Sequence, residues 1–82
     1  MAEFVVYSRQ GCHLCELLIE ELLPLIDGHG ELVVRDIDTR DDWREAYDRR
    51  VPVLEMDGVE LCQYSLDRDS VNAALSGLAE QA

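Results

Sequence analysis

Phe4-Val5-Val6-Tyr7-Ser8-Arg9-Gln10-Gly11-Cys12-His13-Leu14-Cys15 carries three signals in one short run. Phe4 to Tyr7 are consecutive apolar residues. A strand with one wet face alternates polar and apolar side chains, so an unbroken run suits a strand buried on both faces. Arg9-Gln10-Gly11 then reads as a loop. Beyond it, Leu14, Leu17, Leu18, Leu22 and Leu25 recur at steps of three and four, the period of a helix from about His13 to Asp27. Cys12 and Cys15 therefore sit between the end of a strand and the first turn of a helix.

That placement gives the pair its chemistry. Residues three apart on a helix carry Cβ atoms about 5–6 Å apart, and a disulfide takes about 3.5–4.5 Å. A modest tightening of the first turn closes the bond. The two thiols are not equivalent. Cys12 stands at the helix start, beside unpaired N–H groups and the positive end of the dipole. Such a terminus stabilises an anion by about 0.3–1 kcal/mol when exposed and up to about 2 kcal/mol when partly buried. The thiolate is the nucleophile, so its stabilisation creates reactivity. His13, when protonated, and Arg9 add positive charge nearby. Cys12 is expected to be the nucleophile and Cys15, deeper in the turn, the resolving thiol.

Three readings of the pair stay open from the residues alone. A C-x-x-C beside a strand–helix–strand pattern reads as a redox motif of the thioredoxin kind. Structural zinc wants four ligands, and the sequence has no second C-x-x-C; Cys62 and His29 are the only other cysteine and histidine. Buried cysteines also serve as small apolar residues without chemistry.

The remainder of the chain alternates element types. Pro24 falls late in the first helical run and is expected to kink or end it, with Gly28-His29-Gly30 as the stop. Glu31 to Ile37 reads as a second strand around Leu32, Val33 and Val34. Asp38 or Thr39 offers an N-cap for a short helix through Trp43, Ala46 and Tyr47, with Trp43 as a packing anchor. Val51 to Met56 is a third strand. Pro52 stands at its start, a position where a strand tolerates proline. Asp57-Gly58 is a two-residue hairpin signal, and Val59 to Cys62 returns as a fourth strand. Ser65 is a candidate cap for a last helix with Leu66, Val71, Ala74, Leu75 and Leu78 as its apolar stripe. The order β-α-β-α-β-β-α predicts a parallel pair joined by a right-handed crossover. A closing antiparallel hairpin completes a four-stranded mixed sheet with helices on both faces.

The chain has 82 residues, room for one domain over 1–82, and 48% of them are apolar. Eighteen acidic and seven basic side chains give a formal charge of −11. Nucleic-acid affinity rests on Lys and Arg neutralising phosphates, so nucleic acid is not an expected partner; neither is an anionic membrane surface. The charge serves solubility or presents an acidic face to a basic partner. The opening residues lack a basic segment followed by an apolar one, and no run approaches the ~18 apolar residues of a membrane span. A cytoplasmic location is expected. Three cysteines, an odd number, do not suggest a disulfide scaffold. Cys62 reads as a small core residue or as a second, regulatory thiol.

The chain resembles the thioredoxin superfamily and within it the glutaredoxin-like branch. The resemblance runs through Phe4-Val5-Val6-Tyr7-Ser8-Arg9, Cys12-His13-Leu14-Cys15, Arg35-Asp36-Ile37-Asp38, Arg50-Val51-Pro52 and Asp57-Gly58, in the family's order and over nearly the whole length. It implies a thioredoxin-like fold with an active-site dithiol at Cys12 and Cys15. It implies a cis bond before Pro52, facing the dithiol. It puts Arg9 where a basic residue meets the carboxylate of glutathione, and Val51 where a backbone group pairs with a bound cysteinyl unit. The pattern departs from the family at His13-Leu14, where Pro-Tyr is usual. It departs again at Cys62-Gln63-Tyr64-Ser65, where a Gly-Gly pair and an acidic residue are usual.

The expected function is thiol–disulfide exchange on a disulfide-containing protein or small molecule. A reductase or glutathione would be the external reductant, no bound cofactor is expected, and the chain should act as a monomer. Two alternatives are a non-catalytic redox-sensing or adaptor module and metal or iron–sulfur binding through Cys12. Arg9, His13, Val51 and Pro52 are the expected substrate-binding residues.

Overall fold

The computed structural model describes residues 2–81, with side chains for residues 2–77. β1 (Ala2–Ser8) leads into α1 (His13–Ile26), then β2 (Gly30–Asp36), a 3-10 turn (Ile37–Thr39) and α2 (Asp41–Tyr47). β3 (Val53–Met56), β4 (Val59–Gln63) and α3 (Arg68–Gln81) complete the chain. The strands form one mixed sheet in the order β2-β1-β3-β4. β1 runs parallel to β2 and antiparallel to β3, and β3 antiparallel to β4. This is the expected thioredoxin-like arrangement.

β1 lies inside the sheet, which explains its unbroken apolar run. Phe4 and Val6 face one layer, with Leu18, Leu22 and Ile26 of α1, Leu54 of β3 and Val71 of α3. Val5 and Tyr7 face the other, with Ile37 and Val53 buried and Trp43, Tyr47 and Val51 packed against them. Each fully buried aliphatic side chain contributes about 1.5–3 kcal/mol. The second layer is aromatic: Tyr47 stacks on Tyr7 at 4.1 Å between ring centres, and Trp43 meets Tyr7 edge-on at 5.8 Å. Trp43 is thus the packing anchor expected of it. The Tyr47 hydroxyl donates to Glu55 at 3.0 Å. Burial and the Glu55 charge both hold that phenol protonated.

Several boundaries differ from the sequence reading. The buried stripe of α1 is Cys15, Leu18, Leu22 and Ile26, while Leu14 and Leu17 are exposed. In a leucine-rich run several registers satisfy the helical period, and the sheet chooses the one that buries Cys15. Pro24 neither ends nor interrupts α1, which continues through it to Ile26. The 3-10 turn is capped by Asp36, whose carboxylate accepts from the Asp38 N–H at 2.9 Å; the helix that Asp38 or Thr39 is expected to cap is α2, and its N-cap position is Arg40. α2 begins after Arg40 without a side-chain cap. α3 is capped by Asp67, which accepts from the N–H groups of Asp69 and Ser70, and Ser65 lies upstream of it. β3 begins at Val53, so Val51 and Pro52 precede the strand. Asp57 and Gly58 both have positive φ, 52° and 86°, as a two-residue hairpin turn of the primed type requires. Of the expected α3 stripe, the Leu78 side chain lies outside the described residues.

Candidate active site at the Cys12–Cys15 pair

The sheet register brings four loops to one end. Ser8 pairs with Asp36, Tyr7 with Val53, and Val53 with Gln63. The chain leaves β1 toward Cys12, leaves β2 toward Asp38, enters β3 from Val51-Pro52, and leaves β4 toward Tyr64, all on that side. The dithiol therefore shares its edge with the proline loop and with the two loops rich in aspartate and arginine.

A tight turn delivers Cys12. Its N–H donates to the Arg9 carbonyl at 3.3 Å, and Gly11 takes φ +76°, open to glycine at no steric cost. Cys12 is the N-cap of α1, with extended backbone angles of −88° and 100°. Its Sγ accepts from the Cys15 N–H at 3.2 Å. An N-cap position normally holds a Ser, Thr, Asp or Asn oxygen doing the same work. Here a sulfur does it, so a thiolate at Cys12 is stabilised by a direct N–H bond as well as by the helix dipole. Cys12 and Cys15 are joined as a disulfide, with their Cα atoms 5.2 Å apart. Cys12 is half-buried, whereas Cys15 is 2% exposed and forms part of the α1 stripe. A thiol or disulfide arriving from solvent meets Cys12 first.

The residues expected to flank the pair occupy distinct places. His13 is the first residue of α1, with its side chain 80% exposed and its Nδ1 3.8 Å from a Glu16 carboxylate oxygen. Pro52 follows a cis peptide bond and is buried. Its carbonyl accepts from the Tyr64 N–H at 2.8 Å. Val51 is half-buried, its side chain packed in the aromatic layer. Arg9 is held from two sides: its Nε and one terminal nitrogen bond the two Asp38 oxygens at 3.2 and 2.8 Å, and its other terminal nitrogen bonds the Asp48 carboxylate at 2.8 Å. These bonds raise the Arg9 pKa and hold the Asp38 carboxyl below the usual range. No local signal in the sequence marks Asp38 or Asp48 as a partner of Arg9, since they lie 29 and 39 residues from it.

Tyr64 crosses the proline loop. Its backbone has φ +69°, a left-handed conformation rare outside glycine, and its hydroxyl donates to the Arg49 carbonyl at 3.0 Å. Arg50 bonds Gln63 through Nε at 3.1 Å and pairs with Glu60. Cys62 is half-buried on β4, and burial pushes its thiol pKa up. His29 is exposed in the turn after α1. Among the described residues no group of three or more His, Cys, Asp or Glu side chains is arranged to hold a metal ion. No helix among them is long and apolar enough to cross a membrane.

Residues 3–76 match the family described as glutaredoxin-like domain (DUF836). The structural genomics target protein XcR50 from X. campestris superimposes with a TM-score of 0.69 at 33% identity, over 90% of this chain and 96% of that one. A malarial protein superimposes with a TM-score of 0.66 over 94% of this chain and 96% of that one, at 12% identity, and shares the fold alone. No curated protein matches the sequence.

Proposed function

The chain belongs to the glutaredoxin-like domain family, and from that premise we propose that it is a thiol–disulfide oxidoreductase with Cys12 as nucleophile and Cys15 as resolving thiol. The observation that carries this reading is the Cys12 sulfur itself. It is reachable from solvent, caps α1 through the Cys15 N–H, and lies within bonding reach of a buried second sulfur.

The reduced pair acts in two steps. The Cys12 thiolate attacks one sulfur of the substrate disulfide, forming a mixed disulfide and releasing one substrate thiolate. The Cys15 thiolate then attacks the Cys12 sulfur, which breaks the mixed bond and releases the second thiolate. The substrate gains two electrons, the pair loses two, and an external thiol reductant restores it. The substrate is a protein or small-molecule disulfide, and the chain acts as a monomer in the cytoplasm. Val51 and Pro52 line the approach with the loop backbone, and His13 adds positive charge beside Cys12 when protonated. In this reading Arg9 shapes the mouth through its carboxylate partners.

The test is a redox titration in glutathione buffers, followed by thiol alkylation and intact mass. Wild-type protein should lose two hydrogens in one step at a potential within the cytosolic range. Cys12→Ser should lose both the intramolecular disulfide and turnover of a model disulfide, whereas Cys62→Ser should keep them. Turnover by the Cys12→Ser protein would remove the proposal.

A further inference from the structure

The segment Asp48-Arg49-Arg50-Val51-Pro52 is tied into the fold from both sides. On one side stands the turn that delivers Cys12. The Arg9 carbonyl accepts from the Cys12 N–H at 3.3 Å, and the Arg9 guanidinium donates to the Asp48 carbonyl at 3.2 Å and to its carboxylate at 2.8 Å. The segment thus begins against the residue that closes the dithiol turn. It ends at Pro52, next to Val53, which pairs with Tyr7 of β1. On the other side stands the end of β4. Tyr64 donates its N–H to the Pro52 carbonyl at 2.8 Å and its hydroxyl to the Arg49 carbonyl at 3.0 Å. Those carbonyls bracket Arg50 and Val51. Arg50 adds a bond to Gln63 at 3.1 Å and an ion pair with Glu60.

Stability alone does not account for a tyrosine at this position. Its backbone takes φ +69°, which glycine adopts at no steric cost, and at 45% exposure it buries little apolar surface. Any residue but proline would keep the N–H bond to Pro52, and Arg50 already joins the segment to β4. The tyrosine side chain adds the hydroxyl bond to Arg49. We propose that Tyr64 is a positioning residue for disulfide exchange: its hydroxyl fixes the Arg49 carbonyl, and with it the wall of Val51 and Pro52 along which a polypeptide disulfide lies while Cys12 attacks. This rests on the oxidoreductase reading above. In that step the bond between the substrate sulfurs breaks as the Cys12 sulfur bonds one of them, and the electron pair leaves with the other as thiolate. The reacting sulfurs must be aligned, and a contact misplaced by about 1 Å costs rate. A polypeptide takes its alignment from the wall, whereas a small disulfide reaches Cys12 without it. The hydroxyl bonds Arg49 and not the dithiol, so it acts on alignment and not on thiolate formation.

The experiment measures second-order rates of the reduced protein with a disulfide-linked peptide dimer and with hydroxyethyl disulfide, in wild type, Tyr64→Phe and Tyr64→Gly. Tyr64→Phe removes the hydroxyl bond and keeps the ring. Tyr64→Gly suits the backbone, keeps the N–H bond to Pro52 and removes the ring. The ratio of the peptide rate to the small-disulfide rate should fall about fivefold in Tyr64→Phe, as loss of one hydrogen bond implies, and at least as far in Tyr64→Gly. The pH profile of Cys12 alkylation should keep its midpoint in both variants. A ratio that both variants keep, whether or not the absolute rates fall, overturns the inference and leaves the oxidoreductase reading standing. A moved alkylation midpoint overturns it as well, because it assigns Tyr64 to the state of the Cys12 thiol. A fall in Tyr64→Gly alone takes the role from the hydroxyl and counts against the proposal. No reaction of the wild-type protein with either disulfide removes the oxidoreductase reading itself.

Discussion

Position, more than residue type, separates the thiols. Cys12 has the N-cap role, Cys15 belongs to the buried stripe of α1, and Cys62 lies half-buried on β4 with its thiol pushed up by burial. Alkylation of the reduced protein near neutral pH should therefore modify Cys12 first, Cys62 more slowly and Cys15 last, as read by intact mass and peptide mapping against time. Faster labelling of Cys62 than of Cys12 would contradict the cap argument. The cap makes a second demand. In reducing buffer Cys12→Ser keeps an acceptor for the Cys15 N–H, while Cys12→Ala does not, so Cys12→Ala should be less stable than Cys12→Ser by about 1 kcal/mol. Urea unfolding of the two variants measures the difference. Tyr64 shows the opposite case, a side chain that holds an unfavourable backbone conformation because both of its ends are bonded, to Pro52 and to Arg49.

Among the elements, α1 is the clearest case of a sheet selecting one face from an ambiguous sequence. Leu22 is 0% exposed and its neighbour Leu23 is 48% exposed. Leu22→Ala should cost about 2–5 kcal/mol. Leu23→Ala should stay within about 0.5 kcal/mol of wild type. Chemical denaturation of the pair reads the helix register directly, and equal losses would mean the stripe is misplaced. The junction between α1 and β2 has its own constraint. A Cβ on Gly30 would lie 2.7 Å from the Ala2 carbonyl oxygen and 2.7 Å from a ring carbon of Phe4, which is fully buried. The carbonyl belongs to the β1–β2 pairing and the ring has no room to retreat. Gly30→Ala should therefore lower the melting temperature, whereas an alanine elsewhere in β2, at exposed Val34, should change it far less.

For the molecule as a whole, the architecture was readable where pattern and chemistry agree locally. The apolar run Phe4–Tyr7, the dithiol at a strand–helix junction and the Asp57-Gly58 turn each name their own structure. What escaped was set by tertiary partners. Ser65 is an acceptable cap by residue type, but the path of the loop after β4 gives that role to Asp67. Arg9 looks like a free cation in the sequence, and only folding brings Asp38 and Asp48 to it. Two of these carboxylates give the fold an acid-sensitive set of fastenings. Asp38 holds the loop after β2 to the turn before Cys12, and Asp67 starts α3 through bonds to Ser70 and Asp69. Both carboxyls have folded pKa values below their unfolded ones, Asp38 through its Arg9 bonds and Asp67 through its bonds to Ser70. A depressed carboxyl favours the folded state above the unfolded pKa of about 3.9. That contribution disappears as pH falls through the lower folded values. Thermal unfolding of the oxidised protein should therefore lose stability below about pH 4, and Asp67→Asn should start from a lower melting temperature at neutral pH and fall less steeply on acidification. An identical acid limb in wild type and Asp67→Asn would show that the cap at α3 contributes nothing to the pH response, and that the loss at low pH arises elsewhere.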